Sequence, residues 1–413
     1  MNESSADCVI VGGGIGGAVL ALILGRQGKH VVLLEKETKP TNAGRPEILA
    51  RSTVEIFLSL GAGERILREA AVPLRGLELY QAKEKRLVRF DARDFSSEGV
   101  QPYSTHPSRT REILLEAASL THSVEVFRGI EVQDLLYESG RIEGVRCVKN
   151  QTSSVWKAPL IVGDDGGHSR IRQALQIPLR TQEFPLDFLG ASCSEPPGTK
   201  EGIGQVWIEP KGLRGGIFGG VFMPQPESRT AFVFLLTPSS LAQFRERKPA
   251  NFYDCAKRLC PRCEELEANY RFPEAFTVFK RPFGHAPRYV ADGVALLGDA
   301  AHPVTPAGGQ GANASVADAV ALGDVALEAF RRNDFSTRVL TRYETERRPA
   351  NHRSMQFSIW ASRIFRIPKF IPGSEFLLPW FLTKVEQNPK MKLGFLRRVS
   401  SAFQSREVVC HEN

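Results

Sequence analysis

Six residues near the start of the chain, Gly12-Gly13-Gly14-Ile15-Gly16-Gly17, constrain its fold more than any other segment. An apolar run, Val9-Ile10-Val11, precedes them and reads as a buried strand. The stretch Ile15 to Gln27 reads as a helix, and His30-Val31-Val32-Leu33-Leu34 as a second strand parallel to the first. Strand, crossover helix and strand in so short a span open a doubly wound α/β sheet. Gly12, Gly14 and Gly17 satisfy the GxGxxG spacing. A strand must turn sharply into a helix there while its backbone closes on a pyrophosphate, and a Cβ would collide. The helix N-terminus then offers unpaired N–H groups and a positive dipole end to the phosphates. Glu35 ends the second strand, where a carboxylate can accept hydrogen bonds from ribose hydroxyls.

Two further glycine motifs follow apolar strands. One is Val162-Gly163-Asp164-Asp165-Gly166-Gly167-His168-Ser169-Arg170-Ile171-Arg172. The other runs from Val294 through Gly298-Asp299-Ala300-Ala301-His302-Pro303 to Pro306-Ala307-Gly308-Gly309-Gln310-Gly311-Ala312-Asn313, entering an Ala-rich helix from about Gly311 to Phe330. Between them, residues 183–290 hold twelve of the 25 phenylalanines in extended segments such as Ala231 to Leu236, which predicts a mostly β domain. The α/β pattern resumes afterwards, so the first domain is discontinuous. The expected division is 1–75, 101–182 and 283–350 for the nucleotide-binding domain, 76–100 and 183–282 for the sheet domain, and 351–413 for a C-terminal helical segment.

In this order and at this spacing the three motifs resemble the class A FAD-dependent monooxygenases, the p-hydroxybenzoate hydroxylase-like group, over roughly residues 7 to 350. The resemblance implies a Rossmann-type FAD-binding domain with an inserted sheet domain that roofs the substrate. It implies that NAD(P)H binds transiently as co-substrate, without a second Rossmann unit. By position, Gly12, Gly14 and Gly17 would face the FAD pyrophosphate, and Glu35 with Lys36 the adenosine ribose. Arg45 would approach the cofactor and track flavin movement. Val132 would line the cofactor site, and Asp165 matches the family's Asp-Gly motif, with Ser169 and Arg172 as companions. Asp299 would contact the ribityl chain and Pro306 would pack near the isoalloxazine ring. Gly311, Ala312 and Asn313 would present N–H groups to the flavin. One departure from the pattern is visible: Pro107 stands where relatives carry Arg or Gln, leaving Arg109 or Arg111 as substitutes.

The chemistry implied is reduction of FAD by NAD(P)H and addition of O2 at flavin C4a. The hydroperoxide then transfers oxygen to an electron-rich carbon of an apolar aromatic or prenylated ring, as in secondary-metabolite or quinone pathways. A helix N-terminus would stabilise the anionic reduced flavin, and exclusion of water would protect the oxygenating species. Phe218, Phe222, Phe232 and Phe234 are assigned the substrate-facing lid. No acid or base stands out; His302 is the titratable group nearest the expected flavin, with hydrogen bonding to loop backbone as its ordinary role. Two alternatives share the scaffold: a reductase of an isoprenoid double bond, and a flavin-binding sensor without turnover.

Composition narrows the rest. Apolar residues at 42% and charged residues at 24% are globular values. No eighteen-residue apolar run predicts a spanning helix. The short acidic N-terminus lacks a signal-peptide n-region. Seven cysteines in 413 residues do not make a disulfide framework and fit a reducing cytoplasm. Cys255, Cys260 and Cys263 lack a fourth ligand, so no metal is expected. The formal charge is +8, but residues 353–413 hold ten Lys+Arg against four acidic residues, leaving only +2 elsewhere. That near-neutral body gives no reason to expect nucleic acid. The tail also carries Trp360, Phe370, Phe376, Trp380 and Phe381, and reads either as a peripheral membrane contact or as a helical cap.

Overall fold

In the computed structural model, strand Cys8–Val11 lies inside a six-stranded sheet. The model describes residues 2–40, 46–82, 85–97, 101–138, 141–182, 184, 186–195, 201–209, 212–213, 216–247, 249–261, 263, 276–279, 283–306, 308–364 and 374–400. The sheet order is Val290–Ala291, Val294–Leu296, Leu160–Gly163, Cys8–Val11, Val31–Glu35 and Val124–Arg128, all parallel except the first pair. The inner strands are buried along their whole length, as sheets covered on both faces require. Helix Ile15–Arg26 covers one face together with helix Gln310–Arg332. Their close approach depends on Gly16, where a Cβ would stand 2.2 Å from the Ser315 hydroxyl. The expected α/β architecture, with a strand-rich second region and a C-terminal helical segment, is what forms.

The second large layer is a seven-stranded sheet, ordered Thr277–Phe279, Asp187–Ser194, Arg229–Leu236, Ile217–Gln225, Ile203–Ile208, Gly76–Gln81 and Lys85–Asp91. Side chains alternate between its faces with period two. One face carries Trp207, Phe222, Phe232 and Phe234, which meet Phe244 and Phe252 of helices Pro238–Arg247 and Pro249–Leu259. Their rings pack edge to face, with Phe232–Phe234 and Phe234–Phe252 centroids both 5.5 Å apart. Cys255, Cys260 and Cys263 lie in the same core, so none is a surface thiol. The opposite face carries Phe188, Val206, Ile208, Val221, Met223, Val233 and Leu235, and Phe218 joins that cluster beside an irregular register at Ile217/Gly219.

The C-terminal helices Ser374–Gln387 and Pro389–Ser400 lie against the edge strand Lys85–Asp91. Leu382, Val385 and Leu396 enter the sheet core, and Phe395 stacks on Phe90 at 5.7 Å. Helix Thr337–Ile364 connects this cap to the nucleotide domain by packing along helix Gln310–Arg332.

A buried polar knot fastens those two long helices to the loop within the third motif. Asp318, fully buried, holds the His302 ring at 2.5 Å, the Arg347 guanidinium at 2.8 Å and the Asn351 amide at 2.8 Å. Burial alone would raise its pKa, but the His302 and Arg347 charges and hydrogen bonds outweigh it and hold the group at about 2. A carboxyl depressed in the folded state contributes stability that is complete above its unfolded value of 3.8 and lost as pH falls towards about 2. Replacing Asp318 by Asn leaves Arg347 buried without its counter-charge and should cost about 3–5 kcal/mol at neutral pH. Denaturant unfolding across that acid window should show the wild-type advantage over Asp318→Asn shrinking as pH falls; a constant difference would contradict it.

Candidate functional site

The three glycine motifs converge at the carboxyl ends of the parallel strands, where the chain order of the sheet reverses on either side of Cys8–Val11. In doubly wound sheets that crevice is where a ligand sits. Gly12 adopts φ +103°, and a Cβ on it would lie 2.3 Å from the Asp164 carbonyl oxygen. A Cβ on Gly14 would lie 2.3 Å from the Asp164 carboxylate. The loop is thus pressed against the second motif from inside. The Gly17 N–H donates to Asp164 Oδ2 and the Gly13 N–H to Glu35 Oε2, each at 2.8 Å.

The second and third motifs are clamped to each other. Ser169 caps the short helix Arg170–Ala174 by accepting from the Arg172 N–H at 3.0 Å. The Arg172 guanidinium donates to the Ala300 carbonyl at 2.7 Å and the Gly167 carbonyl at 2.9 Å. Asp165 Oδ2 accepts from the Arg170 and Ile171 N–H groups, while Oδ1 is buried without a hydrogen-bond partner. Burial pushes Asp165 up, and pushes Asp164 up further with help from the Asp299, Asp165 and Glu35 charges.

Around this junction lies an open cavity of ≈ 590 Å³. Gly12, Gly14, Glu35, Lys36, Arg111, Val132, Asp165, Asp299, Pro306, Gly311 and Ala312 all line it. Two donors are poised without ligands of their own. Arg111 Nη2 is buried with no hydrogen-bond partner, and the N-terminus of helix Gln310–Arg332 opens into the cavity through Gly311 and Ala312. Gly308 and Gly309, at φ +86° and +63°, shape the turn into that helix. The donor set, the unpartnered Arg111 Nη2 and the Cβ-free cradle fit an elongated, phosphate-bearing nucleotide such as FAD.

Other sequence expectations land elsewhere. Gly17 does not line the cavity; its N–H is taken up by the Asp164 carboxylate. Asn313 is also outside: its side-chain oxygen accepts from Ala50 N–H and the Thr53 hydroxyl, and its amide donates to the Ile48 and Gly309 carbonyls. It braces the helix start against strand Glu47–Leu49. His302 is only 2% exposed and bonds Asp318 and Asn351 side chains, neither loop backbone nor the cavity. None of Phe218, Phe222, Phe232 and Phe234 lines the cavity. For the last three the lid role is corrected by strand register, which turns them to the helix-covered face. Arg45 lies outside the described residues, although its neighbours Pro46 and Glu47 line the cavity. Of the two candidate arginines, Arg109 is engaged with Glu69 and Glu116, so Arg111 is the one that reaches the cavity. Asp164 was visible in the sequence beside Asp165, but its support of the glycine loop was not.

The apolar face of the seven-stranded sheet approaches the same turn. Ile48 packs against that face, and its Cβ lies 3.3 Å from where a Gly309 Cβ would stand. Phe184 and Phe283 join the cluster, their rings edge to face at 5.7 Å.

Residues 5–358 match the FAD binding domain family. The chain is 28% identical over 367 residues to 6-methylpretetramide 4-monooxygenase of Streptomyces rimosus, covering 87% of this chain and 84% of that one. It is 26% identical over 364 residues to 3-demethoxyubiquinol 3-hydroxylase of Escherichia coli, covering 85% and 88%. The crystal structure of PqsL of P. aeruginosa in complex with 2-aminobenzoylacetate is similar at a TM-score of 0.74 and 25% identity, covering 87% of this chain and 96% of that one. With the converging motifs and the nucleotide-shaped cavity, these likenesses establish that the chain belongs to the FAD-dependent monooxygenases of the p-hydroxybenzoate hydroxylase-like group.

Proposed function

We propose that this FAD-dependent monooxygenase, with NAD(P)H as co-substrate, inserts oxygen into an apolar aromatic or prenylated ring compound. One observation carries the reading: the sheet face beside the flavin-side turn is built from Leu77, Phe188, Val206, Val221, Met223 and Val233, with Ile48, Phe184 and Phe283 at its margin. A surface of that kind recognises a ligand through burial of apolar area rather than through ionic contacts. The Streptomyces rimosus and Escherichia coli relatives are named a monooxygenase of 6-methylpretetramide and a hydroxylase of 3-demethoxyubiquinol, which supports an oxygenation here.

When bound, FAD supplies the chemistry of hydride acceptance and O2 activation. The chain's own residues have simpler tasks. Gly12 and Gly14 admit the pyrophosphate, Glu35 and Lys36 hold the adenosine end, and Arg111 donates to the cofactor from the cavity wall. Asp299 takes the ribityl hydroxyls, and the Gly311 and Ala312 N–H groups stabilise negative charge at the far end. Pro306 and the apolar sheet face keep the reacting region dry.

Removing a charge-assisted hydrogen bond of about 1.5–3 kcal/mol should make Arg111→Ala bind FAD ~10–100-fold more weakly, measurable by flavin fluorescence titration. Gly12→Ala should purify without flavin, because at φ +103° its Cβ would stand 2.3 Å from the Asp164 backbone carbonyl oxygen. Anaerobic NADPH should bleach the holoenzyme and O2 should restore its colour. With an apolar ring substrate, the product should gain one oxygen; a gain of two hydrogens would instead favour reduction of an isoprenoid double bond.

A further inference from the structure

Helix Ser374–Gln387 carries two apolar stripes on neighbouring faces, and among the described residues one of them enters the sheet core. Leu378, Leu382 and Val385, at helical spacing, face the core of the seven-stranded sheet. A second stripe at i, i+3, i+4 and i+7 consists of Leu377, Trp380, Phe381 and Lys384. Leu377 is 61% exposed, Trp380 60% and Phe381 39%, and Phe376 beside them is 68% exposed. Large aromatic and aliphatic side chains grouped on one helix face in this way mark an interaction surface. The helix is not loosely placed: Glu386 accepts from the Arg89 N–H at 3.2 Å, and Lys392 of the following helix bonds Asp94 at 2.9 Å while lying over the Phe90 ring. The outward stripe is therefore held rigidly in place.

Charge indicates what covers it. Residues 374–400 carry Lys384, Lys390, Lys392, Arg397 and Arg398 against Glu375 and Glu386. Both acidic positions fall off the stripe in helical spacing, and Glu386 already serves Arg89 and Lys392. Lys384, at the end of the stripe, and Lys390, at the start of the following helix, are both exposed. Trp and Phe seated beside exposed lysines match the boundary of an anionic bilayer, where rings enter the headgroup–acyl region and ammonium groups meet phosphates. Among the described residues no helix is long and apolar enough to cross a membrane, so the contact is peripheral. We propose that the 374–400 helical hairpin docks the enzyme on an anionic lipid surface, with Leu377, Trp380 and Phe381 inserted and Lys384 and Lys390 at headgroup depth. This surface is separate from the FAD cavity, so vesicle binding and turnover report on different claims.

The full-length, FAD-loaded protein is floated with phosphatidylcholine vesicles, with and without phosphatidylserine, at low and high salt. Binding should appear with phosphatidylserine and weaken with salt. Leu377→Ser with Trp380→Ser should lower the partition coefficient by ~10-fold or more, and Lys384→Glu with Lys390→Glu should remove the preference for phosphatidylserine. FAD content should not change in either variant, since no altered residue lines the cofactor cavity. The proposal is overturned if the wild-type protein ignores both vesicles at low salt, if it binds both equally, or if the serine variant binds as well as wild type. A wild-type dimer in sedimentation velocity that the serine variant dissolves would also overturn it, by assigning the face to a second copy.

Discussion

Everything in the nucleotide domain is arranged around the contact between the first glycine loop and Asp164. The loop backbone passes so close that a Cβ on Gly12 or Gly14 would sit 2.3 Å from Asp164 oxygens. That closeness brings the Gly17 N–H to the Asp164 carboxylate and sets the glycine turn at the edge of the cavity. Arg172 extends the same junction by tying residue 167 to residue 300, so the three motifs form one rigid collar. A ligand-binding surface made of backbone N–H groups is only as accurate as the packing behind it. Here that packing includes a backbone-to-backbone contact at Gly12 that leaves no room for a methyl group.

The collar then positions the rest of the site. Residue 300 leads into the loop that lines the far end of the cavity, and this loop is anchored from below by His302 on Asp318. Asn313 ties the start of helix Gln310–Arg332 to strand Glu47–Leu49, and Ile48 of that strand meets the apolar sheet face. Cofactor cradle and substrate-side surface are thus linked through a few buried polar side chains. Their deep burial gives each of these bonds structural weight, because an unpaired polar group there would be costly.

Much of this was legible in the sequence because it depends on local pattern. Apolar runs ending in glycine motifs revealed the parallel strands, and Glu35, Lys36, Asp165, Asp299, Gly311 and Ala312 all line the cavity as their motif positions imply. The failures share a physical cause. Strand alternation shows that Phe222, Phe232 and Phe234 share a face with one another, but which face meets helices 238–259 depends on tertiary packing. His302 was read from its neighbours along the chain, whereas its partners are 16 and 49 residues away on two helices. Arg109 and Arg111 are equivalent in sequence; the fold turns Arg109 towards Glu69 and Glu116 and Arg111 towards the cavity. In the tail, composition was legible but direction was not. The same helix caps the sheet with one stripe and presents another outward, a division that the composition of the tail does not reveal.

The central claim is that a flavin held at this collar delivers one atom of O2 to an apolar ring compound docked against the sheet. The most direct measurement is turnover of such a substrate with NAD(P)H under isotopically heavy O2, followed by mass spectrometry of the product. The account predicts a product bearing a single heavy oxygen. A product oxygen drawn from water, or a product that gains two hydrogens and no oxygen, would contradict it.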